Sequence, residues 1–169
     1  IINIPKISKI AKKYGIYIAV DNTWGSPLFC NPIKLGANII IEAATKYING
    51  HSDILLGIIS SDKKTSKMIR YYTKIMGLCP GSEETYLALR GLPTLETRLK
   101  EIEKNSLNLA YQLNKHPKIK NVYHPALRKN KIWKRDFSGS TGLFSFELKK
   151  KYSNNSLNKF YNKLKIFKL

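Results

Sequence analysis

Acidic side chains are scarce in this chain: 11 aspartates and glutamates stand against 30 lysines and arginines over 169 residues. A net charge of +19 with an isoelectric point near 9.9 is the kind of balance that accompanies nucleic-acid binding. The distribution argues against that partner. Residues 1–90 hold 12 basic and 6 acidic side chains and residues 91–169 hold 18 and 5, so the excess is scattered. Only Lys149-Lys150-Lys151 forms a run, and lysine, asparagine and isoleucine are abundant together, as codon drift in an AT-rich genome produces. The charge reads as solvated helix faces. Cysteine is rarer still. Cys30 and Cys79 lie far apart and outside any C-x-x-C pattern, which excludes a disulfide framework and fits two free thiols in a reducing cytosol. His116 and His124 have no carboxylate or thiol at ligand spacing, which leaves no zinc pattern. No apolar run approaches the ~20 residues of a bilayer span, and no charged segment followed by an apolar one opens the chain, so neither a membrane partner nor a signal peptide is indicated. Internal repeats and low-complexity linkers are also missing.

What the chain does have is enough apolar material for a core, with 43% hydrophobic and 11% aromatic residues. Its length suits one domain, or one domain and part of another. The periodicity is that of an α/β protein. Ile4, Ile7, Ile10 and Ala11 share one face of a helix over 4–13, which Gly15 ends. Apolar strands follow over 16–20, 39–43 and 54–60, the first of the buried parallel type. Breakers at Gly25, Pro27 and Pro32 make a loop of residues 22–32. Asp62 caps a helix running to residue 75, and Ser82 with Glu83 and Glu84 starts another through 89. Gly91-Leu92-Pro93 is the clearest boundary in the chain, separating residues 1–92 from 93–169. Beyond it, Pro93 opens a long helix over 94–114 whose apolar spacing is imperfect around Asn105-Ser106. Strands are expected over 119–123 and 143–148 with a polar loop between them, then a last helix over 157–164.

Two of these elements carry chemistry. Asp21 ends the first strand, and Lys46 lies in the turn Ala44-Thr45-Lys46-Tyr47-Ile48-Asn49-Gly50 between the second and third. Open α/β sheets bind ligands where strands end. A lysine there is partly desolvated, which frees its amine as a nucleophile. Taken alone, Lys46 is one exposed lysine among many. Paired with a carboxylate on the same rim, it matches what pyridoxal phosphate requires: an amine for the Schiff base and an acid that keeps the pyridine nitrogen protonated.

With these motifs in order, Asp21-Asn22-Thr23-Trp24, then Ala44-Thr45-Lys46-Tyr47 with Gly50-His51-Ser52-Asp53, then Leu89-Arg90-Gly91-Leu92, the chain resembles the Cys/Met-metabolism family of pyridoxal-phosphate enzymes. The resemblance covers nearly all of the chain. Trp24 and the stretch from Trp133 to Phe146 are similar to the bacterial-type cystathionine β-lyase branch rather than to the γ-synthases. It implies an aspartate-aminotransferase-like, fold type I α/β architecture, with the second half of the cofactor domain over 1–92 and the linking helix and start of the C-terminal domain over 93–169. It also implies pyridoxal 5'-phosphate as cofactor, cystathionine as substrate, β-elimination as reaction and a homotetramer in the cytoplasm. By the same resemblance Lys46 is the catalytic and cofactor-holding residue, Asp21 partners the pyridine nitrogen, Thr45 donates to the phosphate, and Asn22 and Trp24 line the pocket. Arg90 belongs to a structural helix, and the Gly50–Asp53 segment shapes the loop below the lysine.

The departures matter as much. Family members often carry a serine where this chain has Ala43, so one phosphate hydrogen bond is missing. The first residue is Ile1 rather than methionine, and both ends look cut from a longer frame. The main phosphate cradle, the aromatic that stacks on the ring, and the arginine for the substrate carboxylate are expected outside residues 1–169. The alternatives at this stage are a cystathionine γ-synthase of the same family and a non-catalytic remnant.

Overall fold

The computed structural model describes residues 1–127 and 130–166. Helix α1 (Ile4–Lys13) starts at Asn3, whose side-chain oxygen accepts from Lys6 N at 3.3 Å, and it buries Ile4, Ser8 and Ala11. It ends before Gly15, whose φ of +65° is the left-handed turn glycine makes without strain. Ile7 and Ile10, expected on the buried face, are exposed, because no described element covers that side.

Strand β1 (Ala19–Asp21) pairs in parallel with β2 (Ile39–Ala43), from Ala19 opposite Ile39 to Asp21 opposite Ile41. β3 (Gly57–Ser61) pairs with β2 in the antiparallel sense, giving the order β1-β2-β3. β2 keeps its expected span, whereas β1 and β3 are shorter than their apolar runs. Ile54 drops out of the third run to pack in the core, and Leu55 points into solvent. Ile41 on the central strand and Ile59 on β3 are cross-strand partners on a face that no described element covers, so both are exposed rather than buried.

Residues 22–32 are not all loop. One helical turn, α2 (Ser26–Phe29), lies within them. Asn22 sets it in place: its carbonyl accepts from Ser26 N at 2.8 Å, and its amide nitrogen donates to the carbonyls of Ser26 and Cys30. Helix α3 (Lys63–Ile75) carries the expected cap, with Asp62 accepting from Thr65 N at 2.8 Å. Helix α4 (Ser82–Gly91) has Glu83 and Glu84 in its first turn, where the positive end of the helix dipole favours them. A 3-10 turn over Leu92–Thr94 leads into α5 (Leu95–Lys115).

At 21 residues α5 is about 30 Å long, and it touches two apolar groups along its length. Near its start Leu95 and Leu99 pack with Phe29. Near its end Ala110 packs with Ile119 and Val122 of an antiparallel pair, β4 (Ile119–Tyr123) and β5 (Ser145–Leu148). Between them Ser106 takes a core-facing position, which is why the apolar spacing falters there. Ala126 N donates to His124 Nδ1 at 3.2 Å, so the ring proton sits on Nε2 and is given to Ser106 Oγ at 3.1 Å. Ser106 Oγ in turn donates to the Thr141 carbonyl at 3.3 Å. The loop expected between β4 and β5 contains helix α6 (Lys131–Asp136), capped by Asn130, and α7 (Asn154–Asn162) closes the described chain with Ser153 as cap.

Two predictions arise from this framework. Cys79 is exposed, whereas burial, helped by the charge of Asp136, pushes the Cys30 thiol up to about 11. Iodoacetamide at pH 8 should therefore label one thiol per chain, Cys79, and reach Cys30 only in denaturant; mass spectrometry of the digested protein reads this directly. On the sheet, Glu147 accepts from Lys120 Nζ at 2.8 Å, Asn121 Nδ2 at 2.8 Å and Tyr123 OH at 3.0 Å. These donors pull its carboxyl down from 4.5 to about 2. Because the folded value lies below the unfolded one, the stabilisation is present above pH 4.5 and fades as pH falls toward 2. In Glu147→Gln the acid unfolding curve should be flatter across that window.

Candidate active site

The rim formed by the ends of β1 and β2 opens into a cleft of about 1030 Å³. Asp21, Thr23 and Trp24 line it from the first strand, Thr45, Lys46 and Tyr47 from the turn after the second. Both candidate residues therefore reach one space. Lys46 is exposed there, not withdrawn from water by the described residues as the strand pattern implied. It makes no ion pair among them. Asp21 Oδ1 accepts from Thr23 N at 2.9 Å, an Asx turn that fixes the carboxylate at the strand tip. Thr23 then holds the second strand's end, its hydroxyl accepting from Ala43 N at 2.8 Å.

Thr45 lines the cleft, but its hydroxyl is engaged: it accepts from Leu56 N at 3.0 Å and donates to Leu56 O at 3.4 Å. The second of these is long, so the proton is weakly held. Asn22 is not in the cleft. It is 4% exposed, and its amide nitrogen serves Ser26 O, Cys30 O and Glu42 Oε1. Its expected place among the cofactor contacts gives way to a structural one, as the tie between β1, α2 and β2. Glu42 lies beneath the rim. Burial pushes its carboxyl up, the Asn22 amide works against that, and the charge of Asp21 adds to the rise.

The turn bearing Lys46 is braced from below. Asn49 is fully buried and donates to Asp53 at 2.7 Å, and Arg90 reaches the other oxygen of Asp53 at 2.8 Å. These bonds, the Asn49 amide first, hold Asp53 below the usual carboxylate range. His51 Nδ1 donates to the Asn49 carbonyl at 2.7 Å. Gly50 and Ser52 have φ of +74° and +56°, so the turn reverses twice in left-handed conformations.

The opposite wall of the cleft comes from α5, through Arg98, Glu101, Ile102 and Asn105. Sequence reasoning assigned none of these to the site. Their spacing of three, one and three residues is one helical face, and that was the available signal. Leu143 completes the wall, its carbonyl accepting from Trp24 Nε1 at 2.8 Å, while Thr141 Oγ1 donates to the Trp24 carbonyl at 2.8 Å. Trp24 also meets Trp133 and Phe137 edge-on, at ring centroid distances of 6.0 and 5.9 Å.

The family model of Cys/Met metabolism PLP-dependent enzymes matches residues 1–169, the whole chain. The chain belongs to that family. The Haemophilus influenzae cystathionine β-lyase is 37% identical to it, over 98% of this chain and 43% of that protein. An L-alanine/L-glutamate racemase of Wolbachia pipientis is 38% identical, over 98% of this chain and 42% of its own length. Among solved structures, the cystathionine γ-synthase of Xanthomonas oryzae pv. oryzae, in complex with aminoacrylate and cysteine, superposes with a TM-score of 0.92 at 31% identity. That match covers 100% of this chain and 44% of the other. The chain thus spans less than half the length of these relatives, and its architecture is part of the fold type I α/β structure of PLP-dependent enzymes. Among the described residues no helix is long and apolar enough to cross a membrane.

Proposed function

We propose that this chain is the lysine-bearing part of a cystathionine β-lyase, which with one water converts cystathionine to homocysteine, pyruvate and ammonia. The observation that carries the reading is a cleft holding an amine and a carboxylate with no ion pair to any described group. That donor set fits pyridoxal phosphate: Lys46 Nζ for its aldehyde and the outer oxygen of Asp21 for its ring nitrogen. When bound, the cofactor supplies an electron sink conjugated to the substrate amine. With the cofactor in place, Lys46 Nζ would be the base that takes the Cα proton and the acid that returns a proton to the departing sulfur. Asp21, fixed by the Thr23 amide, keeps a positive charge on the ring nitrogen. Thr45 would be able to offer its weakly held hydroxyl proton to the phosphate, and Trp24 and Leu143 would limit the substrate side.

In this reading residues 1–92 belong to the cofactor domain and 93–169 to the linking helix and the start of the next domain. The enzyme works as a homotetramer in the cytoplasm. Support for the boundary is that α5 packs on both apolar groups. Cystathionine γ-synthase is the second reading, favoured by the likeness to the Xanthomonas structure. The test supplies the protein with pyridoxal phosphate and, in separate reactions, cystathionine, an activated homoserine with cysteine, or L-alanine. Equal amounts of pyruvate and homocysteine support the lyase. Cystathionine formed without pyruvate replaces it with the synthase, and D-alanine as the sole product replaces both with a racemase.

A further inference from the structure

One guanidinium on α5 is committed to the backbone of the turn that bears Lys46. Arg98 Nη1 donates to the Tyr47 carbonyl at 2.7 Å, and Nη2 donates to the Ile48 carbonyl at 3.1 Å. Nη2 also donates to Gly91 O at 2.9 Å, and Nε to Thr94 Oγ1 at 2.9 Å. Four bonds thus tie Arg98 to three segments: the lysine turn, the end of α4 and the 3-10 turn before α5. The carbonyls are the two that immediately follow Lys46. Packing leaves no slack around them. A Cβ on Gly91 would overlap the Ile48 and Asn49 carbonyls, and one on Gly50 would overlap the Arg98 guanidinium. Burial takes water away from Arg98 and lowers its pKa, so these carbonyls stand in for its hydration.

We propose that Arg98 is a positioning residue that sets where Lys46 Nζ stands over the rim, by fixing the two carbonyls after it against α4 and α5. The fork shape is the reason for arginine. Lysine at 98 keeps the charge but not the planar array of donors that spans three carbonyls. The amide protons of Asn49 and Gly50 report on the turn, since they are bonded to Ala44 O at 2.9 Å and Lys46 O at 2.8 Å. As a claim about the cofactor lysine the proposal rests on the reading above, whereas the bracing of the turn does not.

Hydrogen exchange on the purified protein, without cofactor, tests the bracing in Arg98→Lys. The Asn49 and Gly50 amides should exchange about tenfold faster or more, the factor set by losing one charge-assisted bond. The amides of β4 and β5 should keep their rates. Unchanged rates in the turn, or acceleration shared equally with β4 and β5, would overturn the proposal. If Arg98→Lys does not fold, Thr94→Val gives the same reading, since it removes the hydroxyl that holds Arg98 Nε while Arg98 stays. Added pyridoxal phosphate then tests the link to Lys46: the absorbance of the bound cofactor should titrate with a shifted pH midpoint in Arg98→Lys. An unshifted midpoint refutes the positioning role. Absence of bound cofactor in the unsubstituted protein refutes the enzymatic reading instead, and the exchange result still judges the bracing.

Discussion

Lys46→Ala should abolish turnover and, with it, the covalent capture of cofactor. Borohydride reduction of the protein mixed with pyridoxal phosphate should place one pyridoxyl group on the peptide containing Lys46 and none there in the variant. The argument is local. Lys46 is the amine the turn presents to the cleft that Asp21 shares, and no described carboxylate pairs with it. The other lysines decorate helices and edges, where trapping would be weak and evenly spread. Lys46→Arg is the sharper control, because it keeps a cation in the cleft but cannot attack an aldehyde. A label distributed over many lysines in the unsubstituted protein would remove the assignment.

Substituting Asp21 should lower turnover by about a hundredfold or more, the scale on which removal of a single preorganised electrostatic partner acts. Alanine alone confounds two roles, since Oδ1 of Asp21 also accepts from Thr23 N, and Thr23 supports Ala43 in the neighbouring strand. Asp21→Asn separates them. Its side-chain oxygen keeps the turn, so thermal unfolding should match the parent within about 1 kcal/mol, while the charge that holds a proton on the ring nitrogen is gone. Parent-like rates in Asp21→Asn would show that the acid at this strand tip is not the ring's partner.

Much of the architecture could be read from residue pattern because local signals agreed with the final packing. The helix over Lys63–Ile75 has its aspartate cap, and both ends match. The strand Ile39–Ala43 is a β-branched run bounded by turns. What could not be read depends on which way single polar side chains turn once the fold is made. The turn of helix at Ser26–Phe29 exists because the Asn22 amide reaches across to it, and Ser26 itself has a φ of +55°. Helix α6 did have a signal, Asn130 followed by Trp133 and Phe137 four residues apart, but surrounding lysines made the stretch read as polar loop. That Asp21 and Lys46 share one rim was legible, because each follows an apolar strand whose end faces the same cleft. Asn22 misled for the same reason: its neighbours line the cleft, but alternate positions of a strand end face opposite ways. The wall contributed by α5 was hidden because its polar residues are ordinary surface residues until the fold places them.

Trp24 has a consequence for how the molecule comes to be made. Both of the indole's backbone-linked tethers, Thr141 and Leu143, lie more than a hundred positions downstream of it, so it leaves the ribosome well before either. Closing so wide a span is entropically slow, and nothing nearer in the chain substitutes for it. A growing polypeptide halted before residue 141 lacks the segment that bonds Trp24 and closes this side of the cleft. Closure of this one wall waits on the arrival of a single short segment.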